Sequence, residues 1–269
     1  MSTPCYDILG ATYRQTRRAD PRITEQLIAL LNLPAGALIA DIGAGTGNYS
    51  NALSDAGFTM HAVEPSTVMR SQAPPHPRVI WYEGYAEALP LPDYSVDGVI
   101  CTLALHHFTD VPASMREMRR VVGDSPIVLF TFDPRQGEHF WLYEYFPIFR
   151  TDAERAFPPI EEVARLFSED GRYESMILSF PLPPDLHDNF CAANWRHPAR
   201  YLDPGVQAGT SSFAYADTES VQRGLSALHQ DLANGRWEEQ YGHLRERTEF
   251  DAGYRFLVIR PRQNLCQES

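Results

Sequence analysis

Short apolar runs and helical stripes alternate through the first half of this chain. Residues 38–42, LIADI, are short enough for a strand and apolar enough to be buried on both faces. Similar runs recur at 59–64, 79–82, 96–102 and 127–132. Between them the period changes. Residues 48–56 read as a helix stopped by Gly57, and Val111, Met115, Met118 and Val122 recur at helical spacing. Ahead of the first strand, Ile23, Leu27, Leu30 and Leu31 mark an amphipathic helix. Strands separated by helices predict βαβ units, hence an α/β fold with a doubly wound, mostly parallel sheet covered on both faces.

After residue 133 the pattern loses this regularity. Residues 139–149, HFWLYEYFPIF, are densely aromatic, and 181–217 are rich in Pro and aromatic residues with weak periodicity. One helical stripe returns at Val221, Leu225, Leu228 and Leu232. A strand is expected near 175–180. The run at 254–259 reads as an antiparallel last strand returning to the sheet. The expected organisation is a core of 1–133 plus 250–262, with 134–249 inserted mostly as a helical and aromatic lid.

Composition narrows the function. The chain has 269 residues, 43% of them hydrophobic and 22% charged, which is ordinary for a globular protein with a sizeable core. Its formal charge of −12 makes nucleic acid an unsuitable main partner, and the basic cluster around Arg17 and Arg18 is too short to change that. The four cysteines are widely spaced, and the histidines show no ligand spacing with them, so no metal site is expected. No apolar run approaches bilayer length and no basic-then-apolar leader opens the chain, so a soluble cytoplasmic protein without a membrane partner is expected.

The densest chemical signal is IADIGAGTGNYS at 39–50. A dinucleotide fold would place a third glycine at 48, where this chain has Asn48. The sequence spells D-x-G-x-G-x-G instead, with Asp41 at the strand's C-terminal edge. A carboxylate there is unfavourable beside phosphates and favourable beside an ammonium group. Glu64 ends the next strand, an offset at which an acid can accept hydrogen bonds from ribose hydroxyls. A nucleoside carrying an amino acid fits this loop better than a dinucleotide.

These features resemble the class I S-adenosylmethionine-dependent methyltransferases. The resemblance extends through EGYAEALPLPDYSVDGVICTLALHHF at 83–108, MREMRRVV at 115–122 and YDILGATYRQTR at 6–17, which are similar to segments of the ubiquinone/menaquinone-type small-molecule branch. It implies a Rossmann-like core and S-adenosyl-L-methionine as cofactor. It further implies that Asp41, Gly43 and Gly45 hold the methionine moiety while Gly47 opens the helix behind it. Glu64 would hold the ribose, with Pro65 or Ser66 along the adenine and Ala86 and Glu87 at its edge. Thr102 and Leu103 would lie under the methionyl part with His106 close by, and Tyr13 and Arg17 would close over the cofactor. Tyr85 departs from the family, which has an acid at that place. Asn/Asp-Pro-Pro-Tyr does not follow the fourth strand, which disfavours nucleic-acid or protein N-methylation. The last third also resembles the C-terminal half of uncharacterised methyltransferases, some assigned loosely to antibiotic pathways.

Methyl transfer from a sulfonium is an in-line displacement in which the protein mainly aligns the reactants and excludes water. An acceptor protonated at pH 7 profits from a base, and His106 or His107 is placed for it, with Tyr13 second. Trp141, Tyr145, Trp195 and Tyr201 are the expected substrate walls, because aromatic rings shape a dry cavity. The expected activity is methyl transfer to a small-molecule acceptor, possible in secondary metabolism. Two other readings stand beside it: an S-adenosylmethionine-binding regulatory protein without turnover, and a nicotinamide-dependent oxidoreductase.

Overall fold

The computed structural model describes residues 17–169 and 171–262. Helix α1 (Pro21–Leu31) begins where Pro21 fixes the first turn and the Asp20 carboxylate accepts from the Arg22 N–H. Then come β1 (Leu38–Ile42), α2 (Asn48–Asp55), β2 (Thr59–Val63), α3 (Thr67–Ser71), β3 (Val79–Tyr82), β4 (Gly98–Thr102), α4 (Val111–Val122) and β5 (Ile127–Phe132). The second half holds α5 (Leu142–Tyr145), α6 (Pro147–Ala156), α7 (Ile160–Ser168), β6 (Tyr173–Ser179), α8 (Pro204–Ala208), α9 (Ser211–Tyr215), α10 (Thr218–Asn234), α11 (Arg236–Tyr241) and β7 (Tyr254–Pro261).

The strands form one sheet in the order β3-β2-β1-β4-β5-β7-β6. Strands β1 to β5 pair in parallel, and β7 runs antiparallel between β5 and β6. Because side chains alternate across a strand, each strand serves two cores. Ile39, Val128 and Phe130 join α1, α2 and the aromatic insertion on one face. Ala40, Ile127 and Leu129 join α4 and α7 on the other. The chain winds outward in both directions from β1 and β4. The crevice beyond their C-terminal ends is therefore the topological switch point where ligands bind in such sheets.

The insertion is less continuous than 134–249. Helix α7 packs against β6, β7 and α4, so residues 160–179 belong to the sheet layers. Residues 134–159 and 180–249, the remainder of the expected lid, lie outside these layers. Their rings share a single hydrophobic cluster with Ile39, Ile100 and Phe130 of the sheet.

Candidate active site

The turn after β1 is held by backbone bonds to β2: the Gly43 and Ala44 N–H groups donate to the Val63 carbonyl at 2.9 and 3.1 Å. Gly43 has φ 76°, and a Cβ there would stand 2.4 Å from the Ala104 Cβ, so only glycine lets β1 and the β4 exit approach this closely. Gly47 starts α2 at φ 75° with its Cα backed by the Trp81 ring, where a Cβ would come within 2.7 Å. Glu64 completes the turn. One carboxylate oxygen accepts from the Gly45 N–H and the other from the Ser66 N–H, each at 2.9 Å. Burial pushes its carboxyl pKa up.

Over this turn lies a cavity of about 610 Å³. Arg17, Gly43, Gly45, Glu64 and Pro65 are on its wall, as are Ser66, Ala86, Glu87, Thr102 and Leu103. These are ten of the residues expected to hold the cofactor. Glu87 also pins the β4 exit, accepting from the Thr109 and Asp110 N–H groups at 2.6 and 3.2 Å. Tyr85 lines the cavity with 60% of its surface exposed. Leu103, at the β4 end, has φ 54°, a conformation that costs a side-chain-bearing residue about 1–2 kcal/mol.

A second cavity of about 70 Å³ adjoins the first, and Arg17 and Leu103 line both. His106 is on its wall together with Phe132, Tyr143, Phe149, Phe157, Phe190 and Tyr254. The His106 ring stacks on Phe157 with centroids 4.3 Å apart and lies 3.7 Å from the His107 ring. Its Nδ1 is buried with no hydrogen-bond partner among the described residues. Burial, then His107 and Arg17, hold its pKa well below 6.5. Burial brings His107, on the wall of the large cavity, down to about 4. Both imidazoles are neutral at pH 7.

Several expected site residues stand elsewhere. Asp41 lines neither cavity. It is 2% exposed behind the glycine turn, where Ser50 Oγ donates to it at 2.6 Å, and desolvation raises its pKa to about 7. Gly47 lies off the wall for the same reason, facing Trp81. His106 lines the small cavity rather than the large one. Trp141, Tyr145, Trp195 and Tyr201, the expected substrate walls, line neither cavity. Trp141 Nε1 donates to the Trp195 carbonyl, Trp195 Nε1 to Pro183 and the Tyr201 hydroxyl to Cys191, which locks three of these rings into the lid core. The Tyr145 hydroxyl donates to Asp231 at 3.0 Å. Tyr13 lies outside the described residues. The sequence points to the aromatic segment 139–149, which supplies Tyr143 and Phe149 to the small cavity, but not to Tyr49, Thr46, Asp188, Phe132, Phe157, Phe190 or Tyr254.

The large cavity fits a cationic nucleoside. Its size is within the range of cofactor sites. Three carboxylates, Glu64, Glu87 and Asp188, line it, a wall that repels a diphosphate and suits a sulfonium and an ammonium. The Thr46 and Thr102 hydroxyls on the wall are buried and unpartnered among the described residues, as expected of groups whose partner is a ligand. Glu64 lines the cavity beside the glycine turn, and Arg17 and Leu103 line it where it adjoins the small cavity. Among the described residues no group of three or more His, Cys, Asp or Glu side chains is placed to hold a metal ion.

A methyltransferase-domain family model matches residues 40–130. A structure from Anabaena variabilis, assigned as a methyltransferase of an antibiotic biosynthesis pathway, is 51% identical. The superposition covers 91% of this chain and 98% of that one, with a TM-score of 0.88. An uncharacterised Geobacillus methyltransferase is 33% identical over 32% of this chain and 41% of its own length. A ubiquinone/menaquinone biosynthesis C-methyltransferase of Rubrivivax gelatinosus is 28% identical over 53% of this chain and 61% of its own. Both curated relatives are thus matched over less than two thirds of their length. The near-complete match to the Anabaena protein, the matched domain and the acid-lined cavity agree: the chain belongs to the class I S-adenosylmethionine-dependent methyltransferases.

Proposed function

We propose that this protein transfers a methyl group from S-adenosylmethionine to a small-molecule acceptor enclosed between the lid and the sheet. The observation that carries this reading is the pair of cavities meeting at Arg17 and Leu103, one acid-lined and nucleoside-sized, the other small and aromatic. When bound, the cofactor supplies an activated methyl group on a positively charged sulfur. Glu64, Ser66, Ala86 and Glu87 bind the nucleoside, and Gly43 and Gly45 let the backbone approach it. Phe132, Phe149, Phe157 and Phe190 exclude water from the acceptor and hold its apolar part. His106 accepts a proton from an acceptor O–H or N–H, since its neutral imidazole keeps a lone pair at pH 7. The Anabaena relative's assigned pathway supports an acceptor from secondary metabolism, and the quinone-type relative supports a small organic one. Among the described residues, no helix is long and apolar enough to cross a membrane.

Calorimetry with S-adenosylmethionine, followed by a screen for released S-adenosylhomocysteine across compact aromatic and hydroxylated acceptors, tests the reading. Binding plus turnover of at least one acceptor is expected. A folded protein that binds no S-adenosylmethionine defeats the proposal.

A further inference from the structure

Helix α6 runs along one wall of the small cavity. Phe149, Ala153 and Phe157 line it at i, i+4 and i+8, which sets the two rings about 12 Å apart along the axis with a small residue between them. Each ring marks an end. The His106 ring stacks on Phe157, close in the chain to Leu103, where the cavity meets its larger neighbour. Phe149 packs edge-on against Phe213 of α9 with centroids 4.8 Å apart, and Ser211 and Ser212 of that helix line the cavity. An imidazole therefore stands at the end toward the nucleoside site, and two seryl residues stand at the other.

Charge divides between the two cavities. Glu64, Glu87 and Asp188 line the large one, and among the described residues no Asp or Glu lines the small one. Arg17 reaches both, but its charge is matched: Nε donates to Asp188 Oδ1, and Nη2 donates to Oδ2 at 3.2 Å. An ammonium moved into the small cavity would lose its water and meet no carboxylate, and ring faces offset only part of that loss. A carboxylate would find Arg17 already paired. An uncharged polar group finds partners instead. His106 Nδ1 is buried without a hydrogen-bond partner among the described residues, and a seryl hydroxyl both donates and accepts. The volume of about 70 Å³ is under half of the roughly 150 Å³ that admits benzene, so a single ring is the most these walls take. The aromatic walls suit a planar ring. A phenol, with a pKa of about 10, also gives its proton to an imidazole more readily than an aliphatic alcohol does.

We infer that the acceptor is an uncharged single-ring phenol with a second oxygen function, its reacting hydroxyl beside His106 and its far oxygen on Ser211 and Ser212. The inference rests on the proposed methyl transfer. The phenol oxygen's lone pair forms the bond to the methyl carbon, the carbon–sulfur electron pair leaves with the sulfur, and the hydroxyl proton passes to His106. Positive charge thus moves from sulfur to imidazole, and the methylated product is neutral. Ser211 and Ser212 are specificity-determining residues: by fixing the far end of the ring they place the reacting oxygen in line with the methyl group.

Release of S-adenosylhomocysteine by the whole protein tests this with three single-ring probes. They are 4-hydroxybenzyl alcohol, 4-methylphenol, which lacks the far oxygen, and 4-hydroxybenzylamine, which carries an ammonium there. The alcohol should have the highest kcat/KM, by at least about tenfold over each of the others, the scale of one hydrogen bond to a group otherwise left unpaired. In the double variant Ser211→Ala/Ser212→Ala, its lead over 4-methylphenol should shrink to less than about threefold. Ser212→Ala alone carries the test if the double variant does not fold. A lead that persists in the folded variant, an amine that matches the alcohol, or turnover of none of the three overturns the inference. Calorimetry with S-adenosylmethionine is read alongside. Where that binding is intact, such results leave methyl transfer to another acceptor class standing; where it is absent, both readings fall.

Discussion

Glu64 does two things with one carboxylate, and its variants should separate them. Each oxygen already accepts a backbone N–H, which shapes the glycine turn, while free lone pairs face the cavity. Glu64→Gln replaces one acceptor oxygen by a donor and leaves a buried N–H unpaired. We expect a loss of about 1–3 kcal/mol in stability by urea titration, with weaker nucleoside binding. His106 and His107 make a second prediction. Both have folded-state pKa values below the ordinary 6.5, so the unfolded chain binds their protons more readily. Their contribution to stability is complete above about pH 6.5 and is lost as the pH falls toward about 4, where His107 titrates. Asp41 works in the opposite sense. Its carboxyl is raised from 3.8 to about 7, so its burial penalty grows as the pH rises through that window. Urea midpoints should therefore fall on the acid side in the wild type, less steeply in His106→Phe. Asp41→Asn should stabilise the protein more at pH 8 than at pH 5. A variant offset that does not change with pH would contradict these assignments.

At the scale of elements, the glycine turn is the joint between β1 and the β4 exit. Gly43→Ala places a methyl against the Ala104 Cβ at a positive φ. The expected cost is about 1–2 kcal/mol for the backbone plus about 1–3 kcal/mol for the overlap, read as a lowered urea midpoint. The turn and its strands were legible in the sequence because a strand buried on both faces is a continuous apolar run, and β1, β3 and β5 matched their runs residue for residue. The strand expected at 96–102 starts later, at Gly98, because Val96 and Asp97 lie between the turn at 93–94 and the first residue of the ladder. Helix α7 escaped notice between an aromatic tract and a strand, although Ile160, Val163, Ala164 and Phe167 carry its stripe. The lid misled for a different reason. Sequence shows that a ring is apolar but not whether it faces a cavity or another ring. Trp141 and Trp195 are core, while Phe149 and Phe157 of the same aromatic region line the small cavity. Asp188 lay in PLPPDLHDNF, where periodicity offers no frame. Its neighbours Asp185, His187 and Asn189 are polar too, so no local signal singled it out.

The whole molecule is tied together by its aromatic core, which crosses from sheet to lid without a break. Phe130 and Phe256 of the sheet pack against Phe180, and Phe130 meets Phe190 and Tyr254. Farther out, Trp141 packs against Trp237 and Tyr201, and Trp195 stacks on Phe250. A lid built this way cannot unfold alone without stripping one face of the sheet. Unfolding should then be a single cooperative event, and the tryptophans allow this to be measured. Of the four in the chain, Trp81 lies in β3, while Trp141, Trp195 and Trp237 lie in the lid. Tryptophan fluorescence therefore follows the lid, and far-ultraviolet circular dichroism follows the whole chain. The two should give the same midpoint in urea. Trp237→Ala, at a fully buried position, should lower that common midpoint by about 3–5 kcal/mol of stability without splitting the curves. If fluorescence changes first, the lid is a separate folding unit, and the shared core does not couple it to the sheet.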